Sequence, residues 1–366
     1  MGADARPLTL RSLSGRAVAV PMKRALGTSV ETIKVASLLL IDLATEEGVT
    51  GRSYAFCYRP SIARAGEALI EDLSGALHGA RLVPLELSQR LRSLFKLPGL
   101  AGLLAMIASA VDMAAWDAAA RSVDLPLVTL LGSSPKPVAA YNSNGLGLIA
   151  PEEVAQEAEQ LLADGFKAVK LRVGRRDFSA DLAAVRAVRK RIPPDALLML
   201  DFNQALSFAD ASQRCRALDG EGVYWIEEPI RHDDYAHCAI VADATRTPIQ
   251  IGENLSSLAQ LATALSATAS DYLMLDVDRI GGVAGWRSAV GLAEAYGREV
   301  SSHLYPEISV HLLGATATAH WLEFVDWAGP ILQERLKPLE GHVGPLPGPG
   351  VGLHWDEDAV SRFRLS

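Results

Sequence analysis

Acidic residues recur at the ends of apolar runs in the middle of the chain. Asp201 closes LLMLD, Glu227 and Glu228 close YWIEE, Glu253 follows IQIG, and Asp276 closes YLMLD. Counted from Asp201 through Glu227 and Glu253 to Asp276, the intervals are 26, 26 and 23 residues. A unit of one strand and one helix has about that length, so the spacing sets like residues at the same end of successive parallel strands. In a (β/α)₈ barrel that end carries the active site. Three carboxylates gathered there, with no basic residue beside them in sequence, repel one another unless a hard divalent cation is held between them. Read as exposed loop acids, they would need no such register with the apolar runs.

Side chains alternate across a strand, so residues i and i+2 face the same way. Lys170 and Arg172 in AVKLRV therefore point together into the barrel, and Asp201 and Asn203 share a face. Two cations aimed at a carboxylate–metal site make a place for an anionic substrate. His303 in SSHLYPE ends the strand after the one that Asp276 ends. A carboxylate behind an imidazole holds one tautomer and supports the protonated ring. His232, His237, His311, His320, His342 and His354 lack such a partner and read as surface or packing residues. Glu323 lies at the last strand, in HWLEFVD. These groups fit one reaction, removal of a proton from the carbon next to a carboxylate. The enolate charge would be met by a divalent metal, by Lys170 and by a proton-donating Glu323. His303 would take the proton from one face, or the strand-two cation from the other.

The elements that must position these residues follow from pattern. Strands are expected at 18–20, 36–43 and 53–56, with a hairpin turn at Thr45–Gly48. The stretch from Lys23 to Val35 is either a surface loop or a cover folded over a substrate site. Helices are expected at 61–73, 85–94 and 103–123. The last is apolar nearly all round and so buried, with Asp112 and Asp117 as structural acids. Gly132–Pro137 marks a boundary, after which strand and helix alternate for eight steps. A Pro/Gly-rich tail past Ala328 is expected to return to the first unit. The divisions are 1–136, 137–327 and 328–366.

The net charge of −8 and the absence of a basic cluster argue against nucleic-acid binding. No window reads as a membrane span, and MGADARPLTL has no apolar core of a signal peptide, so the expected location is the cytoplasm. Cys57, Cys215 and Cys238 are odd in number and widely spaced, which reads as reduced, buried thiols.

The ordered set VKLR at Val169, DFNQ at Asp201, WIEEP at Trp225, GEN at Gly252, IGGV at Ile280, SSHLYPEIS at Ser301 and AHWLE at Ala319 resembles the enolase superfamily, and within it the mandelate racemase subgroup. The resemblance runs over nearly the whole chain. It implies an α/β fold, a modified (β/α)₇β barrel under an α+β capping domain formed by the two terminal segments. It implies Mg²⁺ on Asp201, Glu227 and Glu253, and His303 with Asp276 as one base. Lys170 and Ser143 would hold the substrate carboxylate, Glu323 would donate to it, and Asn203 would contact the α-hydroxyl. Leu26, Val30, Ile33 and Tyr58 would meet the substrate's side group. The partners implied are a small carboxylate and other copies of the chain, with an octamer as one candidate size.

One position departs from the subgroup, whose motif Lys-x-Lys supplies the second base. Here that residue is Arg172. Bringing a lysine from about 10.4 to near 7 takes on the order of 5 kcal/mol, and an arginine roughly 7–9 kcal/mol. Three functions follow. One is a racemase or epimerase of an apolar or aromatic 2-hydroxy acid. Another is a sugar-acid dehydratase with His303 as the only acid/base. The third is a non-catalytic ligand-binding relative.

Overall fold

A computed structural model describes residues 8–365; the first seven residues of the stretch read above for a signal peptide lie outside it. The chain begins with two long antiparallel strands, β1 (Leu8–Gly27) and β2 (Thr32–Thr45), followed by β3 (Thr50–Phe56). The stretch 23–35 is therefore mostly neither loop nor separate cover. It is the outer arm of a β1–β2 hairpin, with Leu26 opposite Ile33 and a register shift between Pro21 and Leu26. Helix α1 (Pro60–Leu77), the short strand β4 (Arg81–Leu82), and helices α2 (Pro84–Leu94), α3 (Leu103–Ser122) and α4 (Leu127–Leu130) complete this unit. The sheet order is β3-β2-β1-β4.

By length and composition alone helix α3 could cross a membrane, but Asp112 and Asp117 interrupt its apolar run and most of it is buried inside the protein, as expected from its sequence. It packs so closely on β3 that a Cβ on Gly51 would lie 2.0 Å from Ala114 O. Its two acids are structural. Asp117 accepts from the backbone of Arg52 and Val351, and from Arg121 Nε.

The second unit alternates β5 (Val138–Asn142), α5 (Pro151–Ala163), β6 (Ala168–Arg172), α6 (Phe178–Arg191), β7 (Leu197–Asp201), α7 (Phe208–Leu218), β8 (Ile226–Glu227), α8 (Tyr235–Ala244), β9 (Ile249–Ile251), α9 (Leu258–Ser266), β10 (Tyr272–Asp276), α10 (Gly282–Ala295), β11 (Val300–His303), α11 (Pro306–Gly314) and β12 (Ala319–Phe324). All eight strands are parallel, and β12 pairs with β5 to close the barrel. Seven helices separate them, so the barrel has one unit fewer than the eight full steps read from the rhythm. After β12 the chain forms β13 (Pro338–Leu339) and β14 (His342–Val343), the latter antiparallel to β5. The last helix, α12 (Glu357–Phe363), precedes a bond from Leu365 N to Ala17 O on β1.

Inside the barrel Tyr141, Ala168, Met199, Trp225 and Met274 form a separate apolar cluster. Each lies two residues before a polar one: Ser143, Lys170, Asp201, Glu227 and Asp276. Strand alternation thus stacks an apolar layer directly below a charged one. The three cysteines are free and buried, and burial raises each thiol to about 12.

Candidate active site

Register builds the site. Arg172 pairs with Asp201, Asp201 with Glu227, and Asp276 with His303, so these side chains emerge at one end of the barrel. Glu253 follows β9 past Gly252, whose φ of 134° and contact with Met274 O (2.7 Å from a hypothetical Cβ) leave no room for a side chain. Backbone strain gathers at the same end. Tyr58, Leu146, Asn203, Gln204, Glu228, Leu304 and Tyr305 all have left-handed φ without being glycine. Such residues cost about 1–3 kcal/mol each and persist where the surroundings over-determine them.

Lys170 is 1% exposed, and its ammonium lies 2.8 Å from Glu227 Oε1, 2.8 Å from Glu323 Oε1 and 3.6 Å from Asp201 Oδ2. Burial pulls its pKa down, but Glu227, Glu323 and Asp201 outweigh that and raise it, so it is a fixed cation. Arg172 donates from Nη1 to Ser143 O (3.1 Å) and Gly145 O (2.8 Å), and from Nη2 to Ser143 Oγ (2.8 Å). Ser143 Oγ in turn donates to Glu323 Oε1 at 2.7 Å. Glu323 Oε2 accepts from Leu304 N at 2.9 Å. Burial works against its ionisation, yet Lys170, His303 and Arg172 hold its pKa below the usual range. The expected donation from Glu323 is to a substrate carboxylate; here its two oxygens accept, from Ser143 Oγ and Leu304 N.

His303 Nδ1 lies 2.6 Å from Asp276 Oδ2, and Nε2 faces Glu253 Oε2 (3.3 Å) and Glu323 Oε2 (3.8 Å). Asp276 Oδ1 is held by the N–H groups of Asp278 (2.7 Å) and Arg279 (3.2 Å). Burial lowers the pKa of His303, but Glu253, Glu323 and Asp276 raise it overall, to about 10. An Nδ1-anchored ring with Nε2 turned to the barrel axis is the geometry of a general base.

The three expected metal ligands end up at neighbouring strand ends, but as they stand they do not converge. Among the described residues no three acid or imidazole side chains form a ready metal cage. Asp201 accepts from the backbone and side chain of Asn203, Glu227 faces Lys170, and Glu253 is turned to His303. The donor chemistry nevertheless fits a hard cation. Burial raises the Glu227 pKa to about 8; Lys170 opposes this, while Asp201, Glu253 and Glu323 add to it. Glu228 is pushed well above the carboxylate range by burial, Glu253, Asp201 and Glu227. Glu228 Oε2 and Asn203 Oδ1 are buried with no hydrogen-bond partner among the described residues. Excess buried negative charge with orphaned oxygens is what a divalent ion bound by oxygen ligands relieves.

The capping residues divide. Leu26 is buried and Ile33 packs on the core, while Val30 at the hairpin tip is 80% exposed. Ser29 beside it reaches Phe202 O and Asn203 O at the end of β7, both at 3.4 Å. The Tyr58 hydroxyl accepts from Arg279 Nη2 at 3.1 Å, and its ring lies 4.4 Å from that of Phe56, which in turn packs at a tilt against Trp327. Glu228, Asp278, Arg279 and Tyr305 also border the site and were not picked out from sequence; the doublet Glu227-Glu228 and the repeat Asp276-x-Asp278 were the only signals. Of the histidines set aside, His237 pairs with Asp234 at 2.8 Å on its own helix, and His320 meets the Tyr224 hydroxyl (2.9 Å) in the aromatic floor of the barrel.

Comparison with known proteins agrees with this geometry. Residues 153–359 match the enolase C-terminal domain-like family, and residues 12–132 match the mandelate racemase/muconate lactonizing enzyme N-terminal domain. An L-talarate/galactarate dehydratase of Salmonella typhimurium is 31% identical over 262 residues, which span 71% of this chain and 66% of that protein. A crystal structure of an enolase from alpha proteobacterium BAL199 with bound Mg superposes with a TM-score of 0.96 at 44% identity, covering 98% of this chain and 100% of that one. A Bradyrhizobium enolase complexed with magnesium and mandelic acid gives 0.93 at 38% identity and 99% of both chains. Both of these structures hold magnesium. The chain is an enzyme of the mandelate racemase/muconate lactonizing enzyme family of the enolase superfamily.

Proposed function

We propose that the protein removes the α-proton of a 2-hydroxycarboxylate with His303 as its single acid/base. The observation that carries this is the asymmetry of the two candidate bases. His303 has one nitrogen anchored on Asp276 and the other turned to the site, 3.3 Å from Glu253 Oε2, whereas Arg172 has both terminal nitrogens committed to Ser143 and Gly145. A guanidinium already giving its protons to carbonyl oxygens is a clamp and not a proton acceptor.

Asp201, Glu227 and Glu253 would hold the Mg²⁺, which supplies a divalent charge against the developing enolate. Lys170 offers a permanent cation to the substrate carboxylate, and Ser143 a hydroxyl held between Arg172 and Glu323. His303 takes the α-proton at Nε2, and its charge is supported by Asp276. With one base, the balanced outcome is loss of water. The Cα–H bond breaks, His303 returns that proton to the departing β-hydroxyl, and the enol formed relaxes to a 2-keto acid. Likeness to the Salmonella dehydratase supports this outcome.

A second reading is racemisation of an apolar or aromatic 2-hydroxy acid. The buried Leu26 and the Phe56, Tyr58 and Trp327 rings favour it, as does the mandelic acid held by the Bradyrhizobium relative. Proton NMR in D₂O with Mg²⁺ and each mandelate enantiomer separates the two. Exchange from one enantiomer only, with 2-keto product from an acid-sugar panel, supports the dehydratase. Exchange from both, with loss of optical rotation, supports the racemase and overturns the single-base reading. No exchange and no keto product, with Mg²⁺ still bound, would leave a ligand-binding relative. By likeness to its family we also take the protein to be a cytoplasmic homo-oligomer, which light scattering and cell fractionation test.

A further inference from the structure

Two tyrosines cross the seam between the capping unit and the barrel, and each meets a buried carboxylate. Tyr54 of β3 donates to Glu307 Oε2 at 2.7 Å. Tyr305, on the barrel side, donates to Asp278 Oδ2 at 2.9 Å and accepts from the Phe56 N–H of β3 at 2.8 Å. Their rings lie 5.1 Å apart. The two bonds resemble each other in burial and length but differ in what lies behind them. Glu307 lies in the first turn of α11 and, among the described residues, hydrogen-bonds none of the reacting groups. Asp278 donates its own N–H to Asp276 Oδ1 at 2.7 Å, and Asp276 holds His303. Tyr305 also follows His303 by two residues, through the left-handed pair Leu304 and Tyr305. That turn aims the Leu304 N–H at Glu323 and the Tyr305 ring back under Asp278. A closed path therefore runs from the capping sheet at Phe56 through Tyr305, Asp278 and Asp276 to the imidazole.

We infer that Tyr305, through Asp278, is a positioning residue that ties the orientation of the Asp276–His303 pair to the seating of the capping unit on the barrel. Among the described residues its hydroxyl bonds only Asp278 and the Phe56 N–H. The inference rests on the reading of His303 as the base.

The test compares Tyr305→Phe with Tyr54→Phe in the full-length Mg²⁺-loaded protein. Both lose one buried seam hydroxyl, so a merely structural role predicts equal losses. The expected result for Tyr305→Phe is a fall in kcat for α-proton exchange of about tenfold, with KM within twofold. Tyr54→Phe should keep kcat within twofold. A parallel fall in both variants, or none in either, overturns the proposal. The second readout needs no turnover: the downfield Nδ1–H proton resonance of His303 in ¹⁵N-histidine-labelled protein. It should shift in Tyr305→Phe and stay in Tyr54→Phe; an unchanged resonance in Tyr305→Phe overturns the proposal. Should the wild type exchange no α-proton from mandelate or acid sugars, the functional reading fails, and the resonance still decides the role of Tyr305.

Discussion

Arg172 Nη2 donates to Ser143 Oγ at 2.8 Å, and the same guanidinium holds the carbonyls of Ser143 and Gly145. The side chain that stands where a second base would stand is instead the clasp of the loop after β5. Arg172→Lys keeps the charge but cannot span three acceptors. We expect α-proton exchange at the His303 face to fall about tenfold, equivalent to about 1.4 kcal/mol, with no exchange gained from the other enantiomer. Exchange gained from the second enantiomer would show that a base at this position is functional.

His303 carries the proton transfer in this account. His303→Asn should lower α-proton exchange by at least a hundredfold, in the range that removal of a general base usually costs. Asp276→Asn should fall too, because the imidazole loses its tautomer lock and the support for its charged form. NMR exchange rates for both enantiomers read this directly. Full residual exchange in His303→Asn would remove His303 from the mechanism.

We expect the crowded acids at the strand ends to make the fold depend on a bound metal. Binding to the folded state alone stabilises it by about 2.7 kcal/mol when free Mg²⁺ is a hundredfold above Kd. Chelation should lower Tm and abolish exchange, with both restored by Mg²⁺. Asp201→Asn and Glu253→Gln should each shrink the Mg²⁺-dependent rise in Tm, measured by calorimetry. A rise equal to wild type in both variants would remove these residues from the metal site.

Asp112 is buried in α3 and caps α10 by accepting from Ala284 N at 3.1 Å. Burial raises its pKa to about 7 from 3.8, against the opposing pull of the Ala284 and Val283 N–H groups, Arg92 and Arg287. Between those two values the folded state binds more protons than the unfolded one. Its contribution is therefore fully favourable below about pH 4, declines by up to about 1.4 kcal/mol per pH unit as pH rises, and levels off above about 7. Asp112→Asn keeps an acceptor for Ala284 and removes the titration. Denaturant unfolding from pH 4 to 7.5 should show a smaller decline in the variant. Identical pH slopes would mean that Asp112 ionises without cost.

The charged layer at the barrel mouth was legible because it is written in strand periodicity. A parallel strand exposes alternate residues to one side, so Asp201, Glu227 and Asp276 at the ends of apolar runs could be assigned a common face without coordinates. The His303–Asp276 pair followed from the same logic, since adjacent parallel strands bring their ends together, and their register does pair them. The capping arm was not legible. Residues 23–35 carry no clean alternation, and only pairing with the opposite arm of the hairpin makes them strand. What each side chain does within the layer was also undecided by sequence. Lys170, Ser143 and Leu304 converge on Glu323 from three different elements. Arg172 is occupied because the loop after β5 turns its carbonyls inward. Tyr305 and Asp278 meet only because two consecutive left-handed residues reverse the chain after His303. Periodicity sets which face a side chain takes, but protonation and hydrogen-bond roles depend on distances across strands, and those exist only once the barrel is closed.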